Sequence, residues 1–284
     1  MTIKFAVITG GTKGLGKFLV HRFWLASFSL VVIARQEADI LKVLKGLPKR
    51  DDQKALALPC DMGSPGKVAE LVERLKNSCP QLKVIINNAA VQGPIGPVWG
   101  NDFSAWQQAL QVNLLAPVTI CNGLIPLMIS SGGGSIINLS GGGATGPRAN
   151  FSAYATAKAG LVRFSETIAE ELKTSDIRVN CIAPGAMKTD MLAEVLSKAH
   201  AAGEKEHSLA SKVFEEGGAS MDRVADLALF LASDASKGIT GKLISAVWDD
   251  WEHWPEHLSD LSNSDVYTLR RITGRDRGFA WGDK

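Results

Sequence analysis

The chain has 284 residues, 45% of them hydrophobic and 21% charged, with a formal net charge of +2. That balance supplies a large apolar core and argues against a dedicated nucleic-acid or membrane surface. The opening MTIKFAVITGG runs straight into a strand-like segment with no leader pattern, and no stretch approaches the ~18 consecutive apolar residues of a membrane span. Cys60, Cys79, Cys121 and Cys181 are widely spaced without a CxxC pair, the pattern of buried thiols in a reducing compartment. The expectation is a cytoplasmic protein that acts on small molecules and binds neither nucleic acid nor membrane.

In chain order, KFAVIT, SLVVIA, ALALPC, VIINNA, SIINLS, RVNCIA and KLISAV are nearly continuous apolar runs. Strands buried on both faces read this way. Helix-compatible stretches at residues 16–26, 65–77, 104–129 and 153–173 lie between them. Such alternation predicts one α/β domain over residues 1–248, a Rossmann-like, doubly wound parallel sheet with right-handed crossovers. Residues 187–220, polar and helical in character, break the alternation where a lid over a ligand cleft would sit. Residues 249–284 form a C-terminal extension bearing Trp251, Trp254, Tyr267, Phe279 and Trp281. It is too short and charged for its own domain, so it is expected to pack on the body or on a neighbouring subunit.

The first strand ends in VITGGTKGLGKFL. Gly10, Gly14 and Gly16 allow a tight turn and close backbone approach, with Thr12, Lys13 and Leu15 between them. The helix that opens there offers free N–H groups to a pyrophosphate. At the end of the second strand an acidic residue would bind a ribose 2′-hydroxyl, and an arginine would accept a 2′-phosphate. That position holds Arg35, and Lys13 adds a second cation, so NADP(H) is the expected cofactor.

These motifs, with NNAA at 87–90, the Val112–Asn113 pair, YATAK from Tyr154 to Lys158 and NCIAPGAMKTDM, come in the order seen in short-chain dehydrogenases/reductases. The chain resembles that family over roughly residues 3–247. The resemblance implies an NADP(H)-dependent oxidoreductase that interconverts a carbonyl and a secondary alcohol, assembled as a homodimer or homotetramer. It implies that Asp61 contacts the adenine, that Asn87 braces the central strand, and that Pro184, Gly185 and Thr189 line the nicotinamide half. Met62, Asn88, Ala89 and Ala90 complete the implied cofactor-binding set. Tyr154 becomes the acid/base, Lys158 lowers its pKa and holds the ribose, and Asn113 anchors a relay water. The chemistry is consistent with those roles: i, i+4 spacing puts Tyr154 and Lys158 on one helix face. A tyrosine otherwise titrating near 10 becomes a usable proton donor beside an ammonium.

One position departs from the family pattern. A serine is expected thirteen residues before the tyrosine, and here that position is Gly141. Ser140 is one residue early, and successive strand side chains face opposite ways. Three readings stand. The Gly141-Gly142-Gly143 run relaxes the backbone so that Ser140 or backbone N–H groups polarise the carbonyl. Alternatively Ser152 or Thr145 supplies the hydroxyl. In the third, reduction is weakened or lost and the chain is an NADP-binding regulatory or interaction protein. Because one lost donor costs ~10²–10³ in rate, the retained Tyr154, Lys158 and Asn113 favour an enzyme. His253 and His257 have a metal-like spacing, but Pro255 separates them and no Cys/His cluster accompanies them, so no metal is expected. Trp248, Trp251 and Trp254 read as a packing ridge, and Lys198, His200, Lys205, His207 and Lys212 as a solvated basic face of the lid.

Overall fold

The computed structural model describes residues 3–281. The strands are β1 (Phe5–Thr9), β2 (Ser29–Ala34), β3 (Ala55–Pro59), β4 (Leu82–Asn87), β5 (Gly134–Leu139), β6 (Ile177–Ala183) and β7 (Leu243–Ser245). They form one sheet in the order β3-β2-β1-β4-β5-β6-β7, with every pairing parallel. The helices are α1 (Gly14–Leu25), α2 (Glu37–Lys45), α3 (Pro65–Ser78), α4 (Phe103–Leu110), α5 (Ala116–Ser130), α6 (Ser152–Glu171), α7 (Asp190–Ser197), α8 (Ala199–Ala202), α9 (Glu204–Glu216), α10 (Met221–Ala232) and α11 (Leu258–Ser262). This is the doubly wound, Rossmann-like single domain that the alternation predicts. The strand order reverses between β1 and β4, and a crevice opens outside the carboxyl ends of strands at such a switch.

The period-2 geometry of strands divides the core in two. Val7, Val31, Ile33, Ile85, Ile136 and Val179 face a cluster with α3 and α5. Ala6, Ile8, Leu30, Val32, Ile86 and Ile137 face a second cluster with α1 and α10. Helix α3 shows why these segments coil: Pro65 occupies the first turn, where its missing N–H costs nothing, and Val68, Leu71, Val72 and Leu75 make one buried stripe. The predicted helix over 104–129 is instead α4 and α5 joined by a π-helical turn, Gln111–Leu115, which contains Asn113. Helix α2 fully buries only Ile40, with Val43 and Leu44 half-buried beside it on the same core cluster.

Beyond β6 the chain forms α7, α8 and α9 over the end of the sheet. Past β7 it makes a 3₁₀ segment, Trp251–His257, and α11. Trp251 packs on Phe230 with ring centres 5.3 Å apart, and Trp254 on Tyr267 at 4.4 Å. The Leu243 N–H donates to the Tyr267 carbonyl at 2.8 Å. The returning chain thus covers the open edge of β7, which would otherwise present unpaired backbone groups. Trp248 is exposed, so the packing ridge consists of Trp251 and Trp254. Substituting Trp251→Ala should cost about 3–5 kcal/mol in urea unfolding, whereas Trp248→Ala should stay within about 0.5 kcal/mol of wild type.

Candidate active site

At the end of β1 the glycine turn is closed against its neighbours. A Cβ on Gly16 would lie 2.0 Å from the Gly10 carbonyl oxygen, and one on Gly10 would lie 2.9 Å from Ala89 Cα. Only bare backbone fits. The Asn88 side chain fixes the turn, Nδ2 donating to the Thr9 and Gly10 carbonyls at 3.0 and 3.2 Å. Thr9 Oγ1 in return accepts from the Asn88 and Ala89 N–H groups, each at 3.0 Å. Ala90 follows, half-buried. Bracing of the glycine turn therefore falls to Asn88. Asn87 faces the interior, donating to Asn138 Oδ1 at 2.8 Å, and Asn138 donates to Ser165 Oγ at 2.7 Å.

Helix α1 starts at Gly14 with no side-chain cap from Lys13 and no acidic residue in its first turn. Its free N–H groups and positive end suit a pyrophosphate. Leu15 and Met62 are buried in the core, which leaves Leu15 only its backbone to offer. Arg35 lines a hollow of about 290 Å³ with Cys60, Asp61, Lys67 and Arg74. Asp61 also accepts from the Gly63 N–H at 2.9 Å. Lys67 and Arg74 escaped the sequence reading, although their i, i+7 spacing on α3 places them on one face. The hollow is lined by three cations and two carboxylates, Asp61 and Glu70, a balance of one positive charge that suits a phosphate on the Arg35 side. Lys13 does not join them: it pairs with Asp190 of α7 at 3.2 Å and lines a separate hollow beside Thr12, Lys17, His21 and Lys42. Pro184 and Gly185 lead out of β6 towards α7, whose N-cap is Thr189. The Thr189 methyl lies 3.3 Å from where a Cβ on Gly14 would sit. The segment entering the lid therefore closes on the glycine turn.

Helix α6 brings the remaining candidates to the end of β5. Lys158 is 2% exposed and donates to the Leu139 carbonyl at 2.7 Å. Burial pushes its ammonium down to about 8. One turn earlier, Tyr154 lies against Gly141 so closely that a Cβ there would be 2.3 Å from the phenol oxygen. The tyrosine hydroxyl fills the space a serine side chain would need. Burial raises the Tyr154 pKa above its ordinary value, while Arg148 acts to lower it. The lowering expected from Lys158 gives way to this desolvation, and the lysine's hydrogen bond goes to β5.

The serine substitutes fall in different places. Ser140 is buried, its Oγ without a hydrogen-bond partner among the described residues and its N–H given to Ile182. Ser152 Oγ accepts from Trp106 Nε1 at 3.2 Å, and Thr145 is exposed. Asn113 is fully buried, with Oδ1 accepting from the Val91 N–H at 2.9 Å and Nδ2 donating to the Val91 carbonyl at 2.8 Å. Its side chain is occupied in bracing the backbone, so a relay water would fall to its main chain in the widened π turn. Cys121 and Cys181 are pushed by burial to about 12, which keeps them as inert thiols.

Comparison with known proteins now decides the family. The sequence profile of the short chain dehydrogenase family matches residues 4–200. The chain belongs to the short-chain dehydrogenase family. A 3-oxoacyl-acyl-carrier-protein reductase from Thermotoga maritima is 29% identical over 244 residues, covering 85% of this chain and 95% of that one. The human dehydrogenase/reductase SDR family member 4 is 27% identical, covering 85% of each chain. Among solved structures, a putative NAD(P)-dependent gluconate 5-dehydrogenase from Beutenbergia cavernae with bound NADP superposes with a TM-score of 0.74 at 23% identity, covering 86% of this chain and 94% of that one. An actinorhodin polyketide ketoreductase with NADPH reaches 0.75 at 24% identity, covering 86% and 95%.

The buried lysine gives this short-chain dehydrogenase a testable pH signature. Lys158 titrates at about 8 in the fold and at 10.5 as a free side chain. Between those values the unfolded chain binds the extra proton, so raising the pH stabilises the fold. Urea unfolding should therefore show wild type gaining stability relative to Lys158→Met as pH rises from 8 to 10.5. The buried cysteines act in the opposite direction; Cys60, Cys79 and Cys121 cancel in the comparison, and Cys181, whose thiol Lys158 holds lower, rises in the variant and so adds to the difference in the same sense.

Proposed function

We propose that this chain is an NADP(H)-dependent oxidoreductase that interconverts a carbonyl and a secondary alcohol. The observation that carries the reading is the convergence of Tyr154 and Lys158 on the end of β5, next to a glycine turn that only bare backbone can occupy. The fit of the cradle supports a dinucleotide: open N–H groups at the start of α1 for the pyrophosphate, and Arg35 with Lys67 and Arg74 for a 2′-phosphate. The relatives solved with NADP or NADPH bound support the same choice. Asn88, Ala89, Pro184, Gly185 and Thr189 line the path between those ends.

Bound NADPH supplies hydride to the carbonyl carbon. Tyr154 donates its phenolic proton to the carbonyl oxygen as charge builds there, and the product is the alcohol. The raised phenol pKa keeps that proton in place until the substrate demands it. Lys158, held at the Leu139 carbonyl, sets the reach of Tyr154 by fixing the helix one turn on. Asn113 holds Val91 and with it the strand end beneath the cleft. The lid segment, packed through Val195, Ala202 and Ala210 on Ile95 and Phe151, shields the reacting groups from water. Cytoplasmic residence and assembly as a homodimer or homotetramer belong to the same proposal.

Two variants test it. Tyr154→Phe should lower kcat for NADPH-linked ketone reduction by about 10²–10⁴-fold, with NADPH affinity by fluorescence titration unchanged. A variant that turns over like wild type removes the tyrosine from the chemistry. Arg35→Ala should weaken NADPH binding by about 10–100-fold, the loss of a charge-assisted contact, and leave NADH binding untouched. Equal weakening of both cofactors would rule out a 2′-phosphate site at Arg35.

A further inference from the structure

We propose that Arg148 is the electrophilic donor of this site: its guanidinium holds the substrate oxygen beside Tyr154 where Gly141 leaves no serine, and Glu206 of the lid aims it. This rests on the oxidoreductase reading above and adds to it a residue and a coupling between lid and chemistry.

Arg148 lies in the loop between β5 and α6, and its side chain is only 15% exposed. Nε and Nη2 both donate to Glu206 Oε2 on α9, at 3.0 and 2.7 Å. The fully buried Phe151 ring lies 3.8 Å beneath the guanidinium carbon. A planar cation gripped by a carboxylate on its edge and an aromatic ring on its face has little freedom left to turn. Burial makes such pairing necessary, and the two grips together fix the direction in which the remaining N–H groups point.

Its position relative to the phenol is the second part of the argument. The guanidinium carbon is 5.7 Å from the centre of the Tyr154 ring, and Lys158 Nζ is also 5.7 Å from that centre. Two cations therefore flank the tyrosine. Lys158 gives its hydrogen bond to the Leu139 carbonyl, whereas the Arg148 charge pulls the phenol pKa down against the effect of burial. A Cβ on Gly141 would meet the Tyr154 hydroxyl at 2.3 Å, and a Cβ on Gly142 would lie 4.0 Å from Arg148 Nη1. Phenol and guanidinium thus occupy neighbouring volumes above consecutive glycines. Nη1 makes no hydrogen bond among the described residues, so its two N–H groups are open to a ligand.

The chemistry favours this donor over a hydroxyl. Hydride addition loads negative charge onto the carbonyl oxygen, and a guanidinium stays protonated throughout. A charge-assisted hydrogen bond is roughly twice as strong as a neutral one, so the arginine does more than replace a serine. Glu206 and α9 belong to the lid, and Asn150 of the same loop also donates to the Ala202 carbonyl of α8 at 3.2 Å. Seating the lid therefore sets the donor in place.

Tyr154 and Tyr267 are the only two tyrosines in the chain. In a Tyr267→Phe background, phenolate absorbance reports Tyr154 alone, in protein holding neither cofactor nor substrate. The charged groups facing that phenol are Arg148 from its loop, Lys158 from α6 and, behind Arg148, Glu206 from α9. Arg148→Met should move the ionisation midpoint to higher pH, and Glu206→Gln, which unmasks the arginine, to lower pH. Shifts in the same direction, or none, would mean that the Arg148 charge does not reach the phenol, and that result overturns the proposal; opposed shifts establish the charge at the phenol, and the kinetic arm decides whether it acts as the donor.

The kinetic arm uses NADPH oxidation with 2,3-butanedione, ethyl acetoacetate and cyclohexanone. Arg148→Met should lower kcat by about 10²–10³-fold with NADPH affinity intact, and Arg148→Lys should recover part of the loss. A Met variant that keeps the wild-type kcat overturns the proposal while leaving the oxidoreductase reading standing. If wild type reduces none of the three carbonyls, the reading loses its support, and the opposed midpoint shifts alone decide whether Arg148 governs Tyr154. Should Arg148→Met fail to fold by circular dichroism, Arg148→Lys takes its place in the kinetic arm: a lowered kcat at unchanged NADPH affinity supports the proposal, and a wild-type kcat overturns it.

Discussion

A buried ammonium on a strand carbonyl holds this site together. Lys158 has almost no access to water and keeps its bond to Leu139 at the last position of β5. Taking an amine out of water is costly unless it is hydrogen-bonded, so α6 cannot slide along the sheet without leaving that group unsatisfied. The helix is pinned at one point, and Tyr154 follows from it. Four residues earlier on the same face, the phenol can only land over residue 141. There it meets a glycine, and the absent side chain becomes part of the site's geometry. Behind the pin, the relay from Asn87 through Asn138 to Ser165 ties β4, β5 and α6 by buried polar bonds. Asn87 Oδ1 alone in this relay has no partner among the described residues, so the two side-chain bonds tie the strands to the helix with one acceptor left over.

Much of this was legible in the sequence, for physical reasons. Strands buried on both faces have to be written as apolar runs, and a turn that must touch backbone has to be written in glycine. Those two constraints exposed the sheet and the cradle at Gly10 to Gly16, while Tyr154 and Lys158 stood out through their i, i+4 spacing together with the resemblance to the family. Other features had no local signature. The π turn around Asn113 is one extra residue in an otherwise helical pattern. Arg148, Lys67 and Arg74 are ordinary surface-type residues until the fold brings them to a hollow or a ring. Asn87 and Asn88 are adjacent and chemically identical, and only the direction of their side chains separates the interior from the glycine turn.

The two segments outside the regular alternation divide the remaining tasks. The helices of residues 187–220 meet the body through an apolar cluster, Val195, Ala202 and Ala210 with Ile95 and Phe151, with ion pairs of Glu206 on Arg148 and of the exposed Asp190 on Lys13 beside it. Their own lysines Lys198 and Lys212 are matched by Glu194 and Glu216 within their helices. The extension is fastened differently: two buried tryptophans, the backbone bond at Tyr267, and Glu166 of α6 accepting from the Leu269 N–H at 2.6 Å. Aromatic burial and backbone pairing are slow to undo, so the extension reads as fixed structure behind the far end of α6.

The central claim is that the missing Cβ at residue 141 admits the Tyr154 hydroxyl to the end of β5. Crystal structures of wild type and Gly141→Ala test it most directly. The account predicts that wild type holds the phenol oxygen against Gly141. In the variant that oxygen should move by about an ångström, the distance needed to restore ordinary contact, while Lys158 stays on Leu139. A variant in which the new methyl fits and Tyr154 does not move would contradict the account.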